Sequence, residues 1–453
     1  MKTWDRRTRH TVTEEPETDY SQGMMSREAA MKEAAKVTPN VYPGADFVYV
    51  HDYTVCEYRP DGTGVTWSDS YTKVLTRKGR RERQCLCFPY THPYANVATI
   101  LLEIIRSDGR IRQIEVAAQS WTTRTDAHLL QGIFSSGSRV LRIRVPGVKI
   151  GDLVHVVTRR EILKPLIPNA WGDCQVFESV APIRHATYEV HAPQEASLRS
   201  TALKDVIKDT VIRNTNEYEG GTVYRWEVSS VPSLRRKRQT LDSFAAIQRL
   251  LVSTLSDWET VSRWYWQLCQ PHIDATTPAL RAMVEELTKE RTSREEKIET
   301  LFYWVSRQVR FMAVATDNRT PGWEPRDVAA TFSDRRGVCR DKAALLVAML
   351  RLAGLDAYPV LVGVSGREDV EVPLLCFDHT IAAVDDGHGS YRLLDCADEA
   401  AAYVLHTYLR NRSYLIAHPN GDTLRTSSAM RARENSGSVE GLACHSVGAS
   451  PSR

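Results

Sequence analysis

The chain has 453 residues, which is too long for one hydrophobic core and predicts about three domains. Apolar residues make up 42% and charged residues 25%, which is the composition of a globular protein and excludes a disordered or fibrous one. The net charge of +3 and the short basic clusters argue against a nucleic-acid partner. Nine cysteines in a chain of this length do not form a disulfide framework and suit a reducing compartment.

Residues 1–40 predict a polar N-terminal arm with one short helical stretch, from Ser26 to Lys36, and little anchoring to the rest of the protein. The arm has no apolar segment of the kind found in a secretory signal. No later window reaches the roughly 18 apolar residues of a membrane span. As written, the sequence predicts a cytoplasmic protein, whereas a truncated N-terminus would allow a cell-envelope location. The sequence makes no prediction of the oligomeric state.

Residues 41–235 predict an all-β, sandwich-like domain. From Phe47 onward the apolar residues alternate with polar ones, and β-branched and aromatic residues are frequent. Turn signals such as Asp61-Gly62 and Asp108-Gly109 separate short strand-like runs. Many short strands with turns between them are typical of a sandwich or a barrel-like domain.

Helical periodicity follows. Residues 236–275 predict a helical linker, in which Ser256 and Glu259 form the signature of a capping box. The same signature at Ser293 and Glu296 precedes an apolar stripe at helical spacing.

Residues 276–427 predict an α+β core, and residues 428–453 predict a disordered tail because they lack periodicity. Cys339 opens a helix that is almost wholly apolar up to Leu352, and a helix that is apolar on all sides must be buried. Strand-like runs separated by polar loops follow this helix and indicate an antiparallel sheet. The predicted fold class is therefore α+β, with an all-β domain followed by a core whose buried cysteine helix packs on an antiparallel sheet.

Three residues of the core have the chemistry of a thiol active site. A cysteine in the first turn of a helix lies next to unpaired backbone N–H groups, which stabilise a thiolate and can also face an oxyanion. His379 begins a later strand and can act as the base, and Asp395 closes the next strand and can orient the imidazole. Cys339, His379 and Asp395 therefore form a candidate nucleophile, base and orienting acceptor.

These motifs resemble the transglutaminase-like superfamily of papain-type thiol enzymes. Residues 337–343 resemble its Gly-Asp-Cys-Lys-Asp-Lys-Ala stretch, residues 377–380 its Phe-Asn-His block, residues 394–395 its Leu-Asp pair, and residues 322–326 its aromatic-x-Pro-Arg element. Residues 41–235 resemble the uncharacterised β-rich domain that precedes such cores in bacterial proteins. By this comparison the chain ends where a further C-terminal domain would begin, as expected of a fragment.

The sequence departs from the family pattern at three places. Val338 replaces Asp, Asp378 replaces Asn, and Cys396-Ala397 replaces Pro-Thr, but none of these changes removes a member of the triad. Asp378 lies next to His379 in sequence, so it is a candidate second orienting group. Cys396 is a candidate second thiol near the site.

The resemblance implies acyl transfer at an amide carbonyl of a peptide or protein substrate, without a cofactor. Cys339 would attack, His379 would carry the proton and Asp395 would hold the imidazole. Hydrolysis of the acyl-enzyme would make a protease or amidase, and attack by an amine would make a cross-linking transglutaminase. The sequence does not choose between them. Trp323, in the aromatic-x-Pro-Arg element, is a candidate substrate-binding residue.

Two alternatives stay open at this level. An inactive triad could be retained as a module that binds peptides or proteins. A structural zinc site could instead use three thiolates and one imidazole, from Cys339, Cys376, His379 and Cys396, although no Cys-x₂-Cys pair is present.

Overall fold

The computed structural model describes residues 23–124, 137–204, 210–234, 247–312, 322–364, 368–399 and 407–427. The predicted tail, 428–453, and the first 22 residues of the predicted arm lie outside this part of the chain. Across the described residues, every helix is too short or too polar to span a bilayer.

The described helices are, in chain order, α1 (Arg27–Ala35), α2 (Arg77–Arg83), α3 (Val116–Gln119), α4 (Trp258–Asp274), α5 (Pro278–Thr288), α6 (Arg294–Gln308), α7 (Val328–Asp334) and α8 (Cys339–Leu352). The described strands of the N-terminal half are β1 (Phe47–Tyr58), β2 (Gly64–Val74), β3 (Cys85–Thr91), β4 (Ala95–Ile105), β5 (Ile111–Gln113), β6 (Ser120–Arg124), β7 (Ser138–Arg144), β8 (Leu153–Ile162), β9 (Gly172–Val176), β10 (Ile183–Pro193), β11 (Ser200–Lys204), β12 (Val211–Tyr218), β13 (Gly221–Val231) and β14 (Arg249–Ser253). Those of the C-terminal half are β15 (Arg310–Phe311), β16 (Arg336–Gly337), β17 (Ala357–Val362), β18 (His379–Asp385), β19 (Tyr391–Leu394), β20 (Ser413–Ile416) and β21 (Arg425–Thr426).

A long sheet forms the N-terminal domain, with its described strands in the order β12-β13-β10-β1-β2-β8-β4-β5. The pairing is antiparallel except between β1 and β10, which run parallel. The three-stranded sheets β3-β7-β6 and β11-β14-β9 pack on one face of the long sheet, where they bury Leu86 and Ile143 at one end and Leu250 and Val252 at the other. Stacked sheets of this kind confirm the predicted sandwich-like arrangement.

The predicted arm is anchored from α1 onward, contrary to expectation. Ser26 caps the helix by accepting a hydrogen bond from the N–H of Ala29, and Ala30 and Ala34 are buried against the long sheet. Arg27 Nε lies 2.7 Å from Glu103 Oε1 in β4. The buried residues of α1 are the alanines Ala30 and Ala34. The polar composition of the segment therefore gave no indication that one face of the helix is buried.

The core contains an antiparallel sheet with its described strands in the order β19-β18-β17-β20-β21. Helix α8 packs on β17 and β18 and is surrounded by α4 to α7. Its apolar side chains from Ala343 to Leu350 are fully or almost fully buried, as predicted from their all-round distribution. The α+β fold class is therefore confirmed.

Residues 236–275, predicted as a helical linker, contain a strand as well as a helix in their described part. Strand β14 pairs with β11 and β9 of the N-terminal domain, and α4 buries Trp258 and Tyr265 in the main apolar cluster of the core. The N-cap of α4 is Asp257, which accepts from the N–H of Thr260 at 2.8 Å, and not Ser256 as predicted. The capping box predicted at the start of α6 is present.

Candidate active site

Cys339 is the first residue of α8 and is 9% exposed. The helix start is fixed by Asp341, whose carboxylate accepts from the N–H of Val338 at 3.1 Å and from the N–H of Arg326 at 3.0 Å. A Cβ placed on Gly337 would lie 2.7 Å from the Cβ of Asp341, so only glycine fits there. The glycine and the aspartate of the Gly-x-Cys-x-Asp pattern therefore fix the position of Cys339 at the start of a buried helix.

Lys342 supports the same helix from the opposite side. Its side chain is fully buried, and Nζ donates to the carbonyl oxygens of Ser306, at 3.2 Å, and Val309, at 2.7 Å. These carbonyls belong to the C-terminal end of α6, where backbone acceptors lack helical partners. Burial lowers the pKa of Lys342. The lysine of the motif therefore joins α8 to α6.

His379 and Asp395 lie side by side at the edge of the sheet. Ala382 pairs with Leu394 in the β18–β19 ladder, so Asp395 follows the ladder on the same side as His379, two residues out of register. His379 Nε2 is 3.1 Å from Asp395 Oδ2. With Nε2 engaged, Nδ1 is the nitrogen that remains for proton exchange with the thiol.

The charges of the three groups are coupled. Burial by itself lowers the pKa of His379, but the carboxylate of Asp395, its hydrogen bond and the adjacent Cys339 side chain together raise that pKa well above its usual value. Burial by itself raises the pKa of Asp395, but His379 and the hydrogen bonds to the carboxylate lower it to about 2. At neutral pH this environment favours an imidazolium beside a carboxylate.

Tyr408 is a site residue that the sequence reasoning missed. Its hydroxyl donates a hydrogen bond to Asp395 Oδ2, the oxygen that also faces His379. The N–H of Ala397 donates to Asp395 Oδ1 at 3.0 Å, so both carboxylate oxygens are held. Tyr408 lies on a 3₁₀ turn, Thr407–Leu409, in a segment with no periodic pattern. No local signal in the sequence connects it to Asp395.

Trp323 and Asp378 make contacts with other parts of the protein. Trp323 is buried against Trp264 and Tyr265 of α4, so its substrate-binding role stays a prediction. Asp378 Oδ1 accepts from the N–H of Val364 at 2.5 Å, and its role as a second orienting group for His379 stays a prediction.

Cys396 is buried directly after Asp395. Burial raises the pKa of the Cys396 thiol to about 12. A thiol with that pKa stays protonated at neutral pH, so Cys396 is a poor nucleophile compared with a thiolate.

The four residues of the alternative zinc site do not converge. Cys376 instead lines a cavity of about 410 Å³ together with Cys174 of β9, between the N-terminal domain and the core. Within the described ranges, no three His, Cys, Asp or Glu side chains are grouped so that they could hold a metal ion. His379 is directed at Asp395 and not at Cys376.

The chain matches solved structures, of which two are described here. One, described as a "putative protease" from Parabacteroides distasonis, has a TM-score of 0.65 and 13% sequence identity, over 85% of this chain and 72% of that chain. The other, described as a "putative cysteine protease" from Cytophaga hutchinsonii, covers 58% of this chain and 89% of that chain at 14% identity, with a TM-score of only 0.23. At such identities, the likeness to the first structure shows a shared fold and nothing more.

Family models match both halves of the chain, whereas no curated protein matches the sequence. Residues 60–235 match a domain of unknown function, DUF3857. Residues 281–419 match the transglutaminase-like superfamily. Both resemblances drawn from the motifs are therefore confirmed: a region that matches DUF3857 is followed along the chain by a region that matches the transglutaminase-like superfamily.

Proposed function

We propose that the core is a cysteine-dependent acyl transferase or hydrolase that acts on amide bonds of peptides or proteins. The observation that carries the proposal is the His379–Asp395 pair at 3.1 Å, whose histidine has its pKa raised by Asp395 and by the neighbouring Cys339 side chain. A histidine in this state favours the thiolate of its cysteine partner. The protease-like names of the structural neighbours agree with an amide substrate.

The reaction would begin with attack of the Cys339 thiolate on the amide carbonyl. Backbone N–H groups of the first turn of α8 lie beside the sulfur and would face the oxyanion. The imidazolium of His379 would donate its Nδ1 proton to the leaving amine, which leaves an acyl-enzyme thioester. Water or a second amine would then attack the thioester while His379 takes up a proton, and this step separates hydrolysis from cross-linking. Asp395 would keep Nε2 engaged throughout.

The test is the pH dependence of iodoacetamide alkylation at each cysteine, followed by peptide mapping. We expect Cys339 to be alkylated at a lower pH than the other cysteines, because it lies at a helix start next to His379. Cys85, which is exposed, serves as the ordinary thiol in the same sample, and Cys396 as the buried one. In a His379→Ala variant, the Cys339 profile should move up to that of Cys85, because the cationic partner is gone.

Two outcomes would contradict the proposal. One is a wild-type Cys339 whose profile coincides with that of Cys85. The other is a Cys339 profile that His379→Ala leaves in place. A reactive Cys339 that forms no acyl-enzyme with any peptide or amine pair would instead support the peptide-binding module.

A further inference from the structure

The segment that leads into His379 is held by the N-terminal domain. We call residues 368–378 the approach segment, because they directly precede β18. Lys204, the last residue of β11, places Nζ 2.9 Å from Asp369 Oδ1 and 2.9 Å from Glu371 Oε2. Arg249, the first residue of β14, places a guanidinium nitrogen 2.9 Å from Asp369 Oδ2. Two cations of the N-terminal domain thus engage one carboxylate of the core.

The two cations are themselves cross-strand neighbours. Lys204 and Arg249 pair in the β11–β14 ladder, and like charges directly opposite each other destabilise a sheet. Arg249 is also only 2% exposed, so its charge needs a nearby anion. Asp369 supplies that anion from the core. Asp369 therefore offsets the repulsion between Lys204 and Arg249. We expect the β11–β14 ladder to be less stable without the approach segment.

The third strand of the same small sheet makes a steric contact. A Cβ placed on Gly172, the first residue of β9, would lie 2.5 Å from Leu374 Cδ2, so the leucine packs directly on the strand backbone. All three strands of the sheet therefore contact the approach segment, by charge at β11 and β14 and by close packing at β9.

The last part of the approach segment connects these contacts with the N-terminal domain to His379. Trp258 of α4 donates from Nε1 to the carbonyl of Val370 at 3.0 Å, and its ring packs edge-on against Phe377. The N–H of Asp378 donates to the carbonyl of Val362 at 3.1 Å, which begins the β17–β18 pairing. His379 is the next residue. Contacts at Val370, Phe377 and Asp378 therefore hold the chain between Asp369, where the N-terminal domain engages it, and the imidazole.

From these contacts we infer that the small sheet β11-β14-β9 of the N-terminal domain positions the loop of the proposed catalytic histidine, with Lys204 and Arg249 as positioning residues. The inference rests on the proposed function, since it assigns a task to the domain of unknown function within that chemistry. The N-terminal domain would act on the orientation of His379 and would touch neither the substrate nor the thiol.

The experiment uses the full chain and two variants that disturb different contacts. Lys204→Met removes both ion pairs of a partly exposed lysine, and Gly172→Ala pushes against Leu374. We expect each variant to slow Cys339 alkylation at neutral pH by up to about fivefold, which is the upper end of what partly exposed ion pairs contribute. The pH profile of Cys339 should also shift upward, because a misplaced imidazolium stabilises the thiolate less.

Two controls separate positioning from general loss of stability. Lys204→Arg keeps the ion pairs and should keep the wild-type profile. Lys289→Met removes an exposed pair with Glu286 on α5 and should also leave the profile in place. Thermal unfolding of every variant shows that alkylation is measured on folded protein.

The outcomes distinguish the two proposals. If wild-type Cys339 shows the profile of an ordinary thiol, the proposed function itself fails. If the wild-type profile is shifted and both Lys204→Met and Gly172→Ala retain it, the positioning role is wrong, even if either variant melts at a lower temperature. A shift in both variants, with Lys204→Arg and Lys289→Met unchanged, supports the inference.

Discussion

Replacing Asp395 with asparagine removes one charge from the site and keeps the shape of the side chain. The asparagine carbonyl can still accept from the N–H of Ala397, which bonds Asp395 Oδ1 in the wild type. Its amide nitrogen then takes the place of Oδ2 and points an N–H group at His379 Nε2. A histidine that accepts at Nε2 carries its proton on Nδ1, which is the nitrogen that must take the proton of Cys339.

The size of the effect follows from the carboxylate. The pKa of Asp395 falls from 3.8 to about 2, and its side chain has no exposed area. A shift of this size corresponds to about 2 to 3 kcal/mol of net stabilisation of the carboxylate, at 1.36 kcal/mol per unit. Because the interaction is reciprocal, we expect the pKa of His379 to drop when the carboxylate is removed. The loss of rate reaches up to roughly 10⁴ in related triads.

The interaction also predicts when the variant is less stable than the wild type. A lowered carboxylate pKa stabilises the fold above the unfolded value of about 3.9, and this stability is lost as the pH falls through the folded value near 2. The raised His379 pKa stabilises the fold below about 6.5, and this stability is lost as the pH rises through the folded value. Asp395→Asn should therefore be most destabilising between about pH 4 and 6.5.

The assays are NMR titration of His379, the Cys339 alkylation profile, and urea unfolding at several pH values. A His379→Gln single variant and the double variant complete a thermodynamic cycle for the pair. The reasoning is refuted if folded Asp395→Asn leaves the His379 titration where it is in the wild type. It is also refuted if the loss of stability is independent of pH.

Tyr408→Phe should slow Cys339 alkylation by up to about tenfold, because it removes one hydrogen bond to Asp395 that water at the half-exposed ring can partly replace. The matched control is Tyr391→Phe in β19. A decrease as large as that in Asp395→Asn would contradict this prediction. Lys342→Met should lower the free energy of unfolding by about 2 kcal/mol in urea, because two buried carbonyl oxygens at the end of α6 lose their donor. Lys289→Met on the surface should change it by less than about 0.5 kcal/mol, and an equal effect of the two lysine variants would show that the buried contacts contribute nothing.

The sequence was sufficient for the features that depend on local patterns. Period-two alternation located strands such as β1 and β7, and the all-round apolar pattern after Cys339 predicted a buried helix. The order of Cys339, His379 and Asp395 predicted a site because each lies at the beginning or end of an element. The ends of a sheet's strands lie close to the ends of the helices that pack on it, so residues at these positions can form one site.

Contacts between distant segments could not be predicted in this way. Tyr408 bonds Asp395 from 13 residues further along the chain, and nothing in its own neighbourhood indicates that contact. Asp341 and Lys342 look like ordinary helix residues, although each satisfies backbone groups of a different segment. Asp257 displaced Ser256 as a helix cap because both are good capping residues and the tertiary position of Trp258 decides between them.

The position of β14 determines where the chain can be divided between the two domains. It is the central strand of its small sheet, yet it follows the end of the DUF3857 match at residue 235. Only residues 254–257 separate it from α4, whose aromatic side chains are part of the core. A domain boundary between residue 235 and β14 would separate β14 from β11 and β9 and leave it attached to the core. A domain boundary that keeps β14 with its own sheet therefore lies within those four residues.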